Sequence, residues 1–472
     1  MTLKKILQFS LGPIGAAGLG FVTLPLVAWY FPVESLGQLS MLQVSLSFAV
    51  MFFSLAMHQA YVREYHEIDD KSILLKSVVS PGLIILFTIT LLVSVLPFSI
   101  SKILFDIESS FISVLFIISI FASFFINFLS HILRMQERGI AFSVTQIMPK
   151  AVLVLLLGFV IFLNLENSFT NLLIINTVSI VFSVLTFSYI TKDIWIPAIT
   201  STVDKKYIKK LLKFSLPLVA GSLAYWGLTA MDKFFIRYLS SFEELGVYAI
   251  AVSIAGAVSI ISTIFSNLWH PTVYKWVKNG VEPTKVQQVI ESMFLGVAFV
   301  WSCVGLFSWI ILYFLPDEYI AVEYLLVACV SISLFYMLSE TTVVGIGITR
   351  KSMYAMLASI VAFTLNLILN YFLIPPYGAS GAAIATVFSF FVFFLVRTEA
   401  SAYLWVSLPR RKIYFMLLAY MIATTVFVLT KAQIEYFFLI WIGLFLVSVL
   451  MYIKRVYFLI EVLLKIKGDK SC

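Results

Sequence analysis

Charge is what this chain has least of. Asp, Glu, Lys and Arg make up only 12% of its 472 residues, where a soluble domain carries about 25%. That shortage excludes a string of ordinary soluble domains, which the length alone would suggest. Cysteine is nearly absent. Cys303, Cys329 and Cys472 form no CxxC pair, which excludes a disulfide framework and the common thiolate metal sites. Four histidines without ligand spacing give no metal site. The chain has no GxxxxGK[ST], HExxH or GxSxG segment, and GAAGLG (Gly15 to Gly20) follows no strand. No nucleotide site, catalytic motif or cofactor is therefore expected.

What is there is apolar. Hydrophobic residues make up 61% of the chain, and mean hydropathy is +1.03. Runs of about 20 apolar residues recur along it, each long enough to cross a bilayer. The run Ile6 to Phe31 is too long for the h-region of a signal peptide and reads as the first membrane helix. The pattern predicts an all-α polytopic membrane protein with about fourteen transmembrane helices. They are placed at 7–31, 37–62, 78–98, 111–133, 141–163, 169–190, 214–238, 245–270, 287–314, 320–347, 353–374, 380–405, 413–430 and 434–453. Turn signals such as FPVES, LENS, LPDEY and IPPYGASG separate them.

The basic residues orient these spans. With a cytoplasmic N-terminus, 28 of the 32 lysines and arginines fall on the inner side. Only Lys102, Lys233, Arg237 and Lys431 fall outside. The net charge of +8 thus faces cytoplasm and anionic membrane lipids rather than nucleic acid. Both termini are expected in the cytoplasm. Lys205, Lys209 and Lys213, at i, i+4 and i+8, suggest a basic amphipathic helix on the inner leaflet. A solvated charge run is the plainer reading of the same residues.

The first and seventh spans share FSL, internal prolines and a short acidic outer turn ending in Leu-Gly (Leu36-Gly37 and Leu245-Gly246). Six helices separate them, so they point the same way, as in a parallel repeat. The expected organisation is a six-helix lobe at 1–191, a basic linker at 192–213 and a second six-helix lobe at 214–408. Helices 13 and 14 follow at 409–453, then a cytoplasmic tail at 454–472. Two such lobes suit a transporter working by alternating access. Gly12, Gly15 and Gly18 read as a close-packing helix face.

Ionisable residues inside spans are costly and mark candidate sites. Lys150 and Glu340 each lie about 15 Å from an inner end at 1.5 Å per residue, near the bilayer midplane. Lys150 suits a wet cavity. Glu340 is either paired, protonated or solvated, so it is a transport residue or half of an ion pair. Asp232, Lys233 and Arg237 lie in the outer third of the seventh helix. Lys233 and Arg237 share a face and can attract an anion, or the group stabilises an outer gate. Arg63 and Arg134, with Asn127 just above, lie at inner ends, where they read as interfacial anchors or, alternatively, as receivers of a diphosphate. His58 and His270 read as polar caps of their helices.

Several stretches together resemble one family. LLKFSLPLVAGSLAYWGLTAMDKFFI, EELGVYAIAVSIAG and IFSNLWHPTVYKW are similar to the second-lobe signature of Wzx-type O-antigen and polysaccharide flippases. NYFLIPPYGASGAAIATVFS resembles their helix 11–12 turn, and FSLGPIGAAGLGFVTLPL their first helix. The resemblance covers essentially the whole chain. It implies the fold of the multidrug/oligosaccharidyl-lipid/polysaccharide exporter superfamily. The activity it implies is translocation of an undecaprenyl-diphosphate-linked oligosaccharide from the cytoplasmic to the periplasmic leaflet, without enzyme chemistry. It also implies cavity cations, a role that Lys150 and Lys233 match in character, and a polysaccharide polymerase as neighbouring machinery. A multidrug or cation antiporter shares the fold and remains an alternative, as does a lipid II flippase. A membrane polysaccharide polymerase is a weaker alternative, because it would carry a large outer loop.

Overall fold

A computed structural model describes residues 3–95, 99–433, 435–458 and 461. Expectations that rest on 96–98 or on the tail residues Lys465, Lys467, Lys470 and Cys472 lie outside these. Among the described residues the regular structure is helical throughout, which pairs the backbone polar groups of each helix interior within its own segment, as hydrocarbon requires. Twelve helices among the described residues are long and apolar enough to cross a membrane.

The chain forms two compact units, 1–237 and 238–472. The first holds α1 (Leu3–Tyr30), α2 (Val33–Ser54), α3 (Met57–Glu64), α4 (Lys71–Val95) and α5 (Ile100–Phe105). Then come α6 (Ser110–Met135), α7 (Gly139–Phe162), α8 (Phe169–Ile190), α9 (Lys192–Thr200) and α10 (Lys205–Leu239), whose last two residues pass the boundary. Leu55 and Ala56 adopt positive φ of 49° and 53° and break the expected second span into α2 and α3. Its core gathers Phe53, Tyr61, Leu74, Phe124, Phe128 and Phe187. Lys205, Lys209 and Lys213 do not form a separate surface helix. They open the 35-residue α10, which continues unbroken into the seventh span.

The glycine face of α1 is occupied as its spacing suggests at two positions of three. Gly12 lies against the backbone of Ser143 and Gly15 against the Ile147 side chain, both on α7. Ser143 Oγ donates to the Gln8 carbonyl between the same helices. Nothing approaches Gly18.

The second unit holds α11 (Phe242–Ala255), α12 (Ala257–Lys278), α13 (Pro283–Phe307), α14 (Val322–Thr342) and α15 (Val344–Ile348). It closes with α16 (Met353–Leu404), α17 (Arg411–Leu429) and α18 (Phe437–Met451). Almost every residue of α14 is buried, because α11, α12, α13, α16 and α17 all pack on it. Trp301 of α13 stacks on Tyr420 of α17 at 5.3 Å. Its indole N–H donates to Thr424 Oγ1 at 3.0 Å, so the ring is buried with its polar edge satisfied.

The 52 residues of α16 are not one straight rod. Gly378 sits at φ 53°, ψ −131°. A Cβ on Gly381 would collide with the backbone at Leu373, although residues eight apart in a straight helix are about 12 Å apart. The chain therefore doubles back at IPPYGASG. One long helix here covers the two spans expected at 353–374 and 380–405. The short α18, of 15 residues, accounts for the rest of the difference between fourteen expected spans and twelve long helices.

Candidate functional site

The second unit carries the most elaborate charged cluster. Glu340 occupies the last turn of α14, Arg397 lies in the second arm of α16, and His270 is on α12. Arg397 Nη1 donates to Glu340 Oε1 at 2.8 Å and to Ser339 Oγ at 2.9 Å. The other carboxylate oxygen, Oε2, meets His270 Nε2 at 2.8 Å. The Arg397 guanidinium also lies over the Phe393 ring, 4.9 Å from its centre. Only 10% of the Glu340 side chain and 11% of Arg397 is exposed. At that burial each charge needs the other, since a lone charge in this setting costs several kcal/mol.

The same line of contact continues along the two helices. Thr342 and Thr398 share a hydroxyl hydrogen bond of 2.7 Å, and the Gly345 N–H donates to Ser401 Oγ at 2.9 Å. This polar seam fixes the second arm of α16 against α14 and α15 and so fixes where Arg397 points. An open cavity of about 460 Å³ lies against the cluster, lined among others by His270, Tyr274, Glu340, Arg350, Ser352 and Arg397. Tyr274 packs its hydroxyl onto Gly347 so closely that no side chain fits there. Two arginines against one glutamate give the lining a positive balance. Two buried nitrogens at the cluster, Arg397 Nε and His270 Nδ1, have no hydrogen-bond partner.

Glu340 is expected to be paired, protonated or solvated, and the structure gives it a pair and an adjacent cavity. Sequence reading missed its partners. Arg397 falls inside the expected span 380–405 and so met the criterion that singled out Glu340, but it was counted with the inner loop charges. His270, read as a polar cap, is a ligand of the carboxylate. No spacing rule ties residues 270, 340 and 397 together, because three separate helices bring them to one point.

In the first unit, Lys150 lies at the middle of α7 and is exposed. Its ammonium donates to the Ala16 carbonyl at 2.9 Å, and it sits beside Gly20, where a Cβ would come within 3.2 Å of Nζ. The glycines of α1 thus make room for this lysine as well as for helix packing. Arg237 pairs with Asp106 at 3.7 Å and is 15% exposed. The shared cationic face expected of Lys233 and Arg237 is therefore partly neutralised. Asp232 is buried, and its Oδ1 accepts the Lys233 backbone N–H at 2.9 Å.

The inner-end residues fall into separate contacts. Arg63 stacks on Phe214 at 4.3 Å and lies 3.8 Å from Glu64, which Lys210 also approaches at 3.3 Å. Arg134 is exposed. Asn127 gives its carbonyl to His131 Nδ1 at 2.7 Å, while its side-chain nitrogen is buried without a partner. The rings of His58 and His131 lie 4.9 Å apart. Among the described residues, no group of three or more His, Cys, Asp or Glu is placed to hold a metal ion.

Known proteins give this geometry a frame. A family described as "Polysaccharide biosynthesis protein" matches residues 2–276. No curated protein matches the chain. Among solved structures, the chain is similar to the lipid II flippase MurJ in its inward closed conformation. That match has a TM-score of 0.69 and 16% identity, covering 95% of this chain and 98% of the other. An inward-facing multidrug resistance MATE family transporter of the MOP superfamily matches with a TM-score of 0.60 and 15% identity, over 82% and 95% of the two chains. An outward-facing member of the same kind gives 0.56 and 16%, over 85% and 95%. At these identities the likeness is one of fold.

Proposed function

The chain belongs to the family of polysaccharide biosynthesis proteins, and from that premise we propose that it is a flippase for a polyprenyl-diphosphate-linked oligosaccharide. It carries this lipid from the cytoplasmic to the outer leaflet of a bacterial inner membrane, with both of its own termini in the cytoplasm. It performs no covalent chemistry, and polymerase machinery takes up its cargo on the far side. The substrate is the surface-polymer repeat unit, of O-antigen or similar type.

The observation that carries this reading is the Glu340–Arg397–His270 cluster against an open cavity with a positive balance. A sugar chain presents many hydroxyls, each costly to place in hydrocarbon. A polar cavity removes that cost, and cations balance a diphosphate. Outward movement of two negative charges also runs with an inside-negative potential, contributing roughly 4–5 kcal/mol per 100 mV. Lys150, exposed at the middle of its helix, supplies a second cation on the same reading, and Lys233, Arg237, Asp232, Arg134, Arg63 and Asn127 are lesser candidates. A drug–cation antiporter shares the fold, but its carboxylate must be open to a cation. Here both oxygens of Glu340 are already engaged.

The test is transport by purified protein in proteoliposomes holding fluorescent undecaprenyl-diphosphate oligosaccharide, with outer-leaflet probe destroyed by a membrane-impermeant reductant. Unmodified protein should expose the inner-leaflet pool. Lys150→Ala should slow exposure at least tenfold while reconstituting normally. Protein that moves no lipid-linked sugar but exchanges organic cations would overturn the reading in favour of the antiporter.

A further inference from the structure

The short helix α9 and the elbow before it lie outside the proposed transport path. At 1.5 Å per residue, nine residues extend about 14 Å, less than half a bilayer core, so α9 does not cross. It has two unlike faces. Ile194 and Ala198 are buried in the core of the first unit. Ile196 and Ile199 are 50% and 63% exposed, and Tyr189, one turn before the helix, is 72% exposed.

The polar contacts of the elbow are cationic. Lys76 of α4 donates to two carbonyls at the end of α9, Ile199 at 2.7 Å and Ser201 at 2.6 Å. Arg138 donates to the Ile190 carbonyl at the end of α8 at 3.4 Å. Lys192 lies over the Tyr189 ring at 4.7 Å. Past the helix come the exposed Lys205, Lys206 and Lys209. Against these the stretch 188–213 carries only two acids, Asp193 and Asp204. Lys76 and Arg138 hold the two helix ends where carbonyls would otherwise need water. Trp195 is fastened too, its indole N–H donating to the Ser188 carbonyl at 2.7 Å.

We propose that the α8–α9 elbow is a docking surface for resident anionic phospholipid. Ile196, Ile199 and Tyr189 enter the acyl boundary, while Lys192, Lys205, Lys206 and Lys209 hold the headgroups. Exposed apolar residues bordered by lysines are the composition of a helix lying in the interface plane, and an anionic leaflet is the partner that satisfies both halves at once. The buried face and the Lys76 cap make α9 a rigid part of the first unit. The lipid it holds is therefore a fixed neighbour of that unit, separate from the cargo that the proposed function assigns to the cavity.

The experiment uses the full chain with Cys303, Cys329 and Cys472 replaced and a bimane label on I199C. It is reconstituted with nitroxide-labelled phosphatidylglycerol or, at equal mole fraction, nitroxide-labelled phosphatidylcholine. The anionic quencher should act at least threefold more strongly than the zwitterionic one. The variant K192Q/K205Q/K206Q/K209Q should bring the ratio to about one, and Arg at the same four positions should restore it. Equal quenching of the unmodified chain by both lipids would overturn the headgroup preference, and no quenching by either would take α9 off the membrane. Loss of quenching on adding unlabelled polyprenyl-diphosphate lipid at one molecule per protein would give the surface to the substrate and overturn the proposal. None of these readouts depends on transport, so a failed flippase assay leaves this test intact.

Discussion

At the scale of single residues, Glu340 and Arg397 stand or fall together. Each is about nine-tenths buried and each bonds the other at 2.8 Å. Removing one leaves an uncompensated charge, at a cost of about 3–5 kcal/mol, whereas replacing both with apolar groups is often near neutral. Glu340→Met and Arg397→Met should therefore each lower the unfolding midpoint in detergent strongly. The double variant should lose much less than their sum, a coupling of at least about 2 kcal/mol. Transport should be lost in all three, because the cavity loses its charge pattern even where stability returns. Additive destabilisation would show that the two side chains are not a working pair. The sequence made Glu340 legible, since an isolated carboxylate among Ser339, Thr341 and Thr342 in an apolar run stands out. It did not show that His270 and Arg397 are its partners, because no spacing rule ties residues on three separate helices to one point.

At the scale of elements, apolar run length located the helices but not their breaks. The αL residues Leu55 and Ala56 carry no glycine, asparagine or proline signal, so the division of α2 from α3 could not be read. The turn at IPPYGASG could be read, but not how it is held. There the Glu244 carboxylate accepts the Ala379 N–H at 2.8 Å, and a Cβ at Gly378 would meet Glu244 Oε2 at 2.7 Å. Gly378 is also at φ 53° with ψ −131°, a conformation that costs other residues roughly 1–3 kcal/mol. Gly378→Ala should thus both strain the turn and expel its acidic partner. It should lower the thermal midpoint further than Glu244→Gln, which removes only charge from one hydrogen bond at about 1 kcal/mol. Equal effects from the two variants would mean that the backbone conformation contributes nothing.

At the scale of the whole molecule, the number of crossings decides which side each loop faces. Among the described residues twelve helices are long enough to span. One of them, α16, turns back on itself at Gly378 and is long enough to cross twice. The fourteenth crossing rests on α18, whose 15 residues reach only about 22 Å at 1.5 Å per residue. Helical turns resume at 453–458 after the break at Tyr452, and Lys454 and Arg455 there suit the inner end of a crossing. This arithmetic, joined to the lysine and arginine bias, predicts the topology of each connection. Reporters inserted between Ser201 and Lys205, and between Val406 and Pro409, should both read cytoplasmic. Reporters at Glu166 and at Tyr377 should read the opposite side, and one after Lys454 should read cytoplasmic again. The last position tests α18 alone. An outer-side signal there, with the others as expected, would mean that α18 lies along the membrane surface and that the chain crosses thirteen times. A cytoplasmic signal at Tyr377 would instead straighten α16 into a single crossing and reverse every connection after it. That would place Arg410, Arg411 and Lys412 on the outer side and break the charge bias from which the orientation is argued.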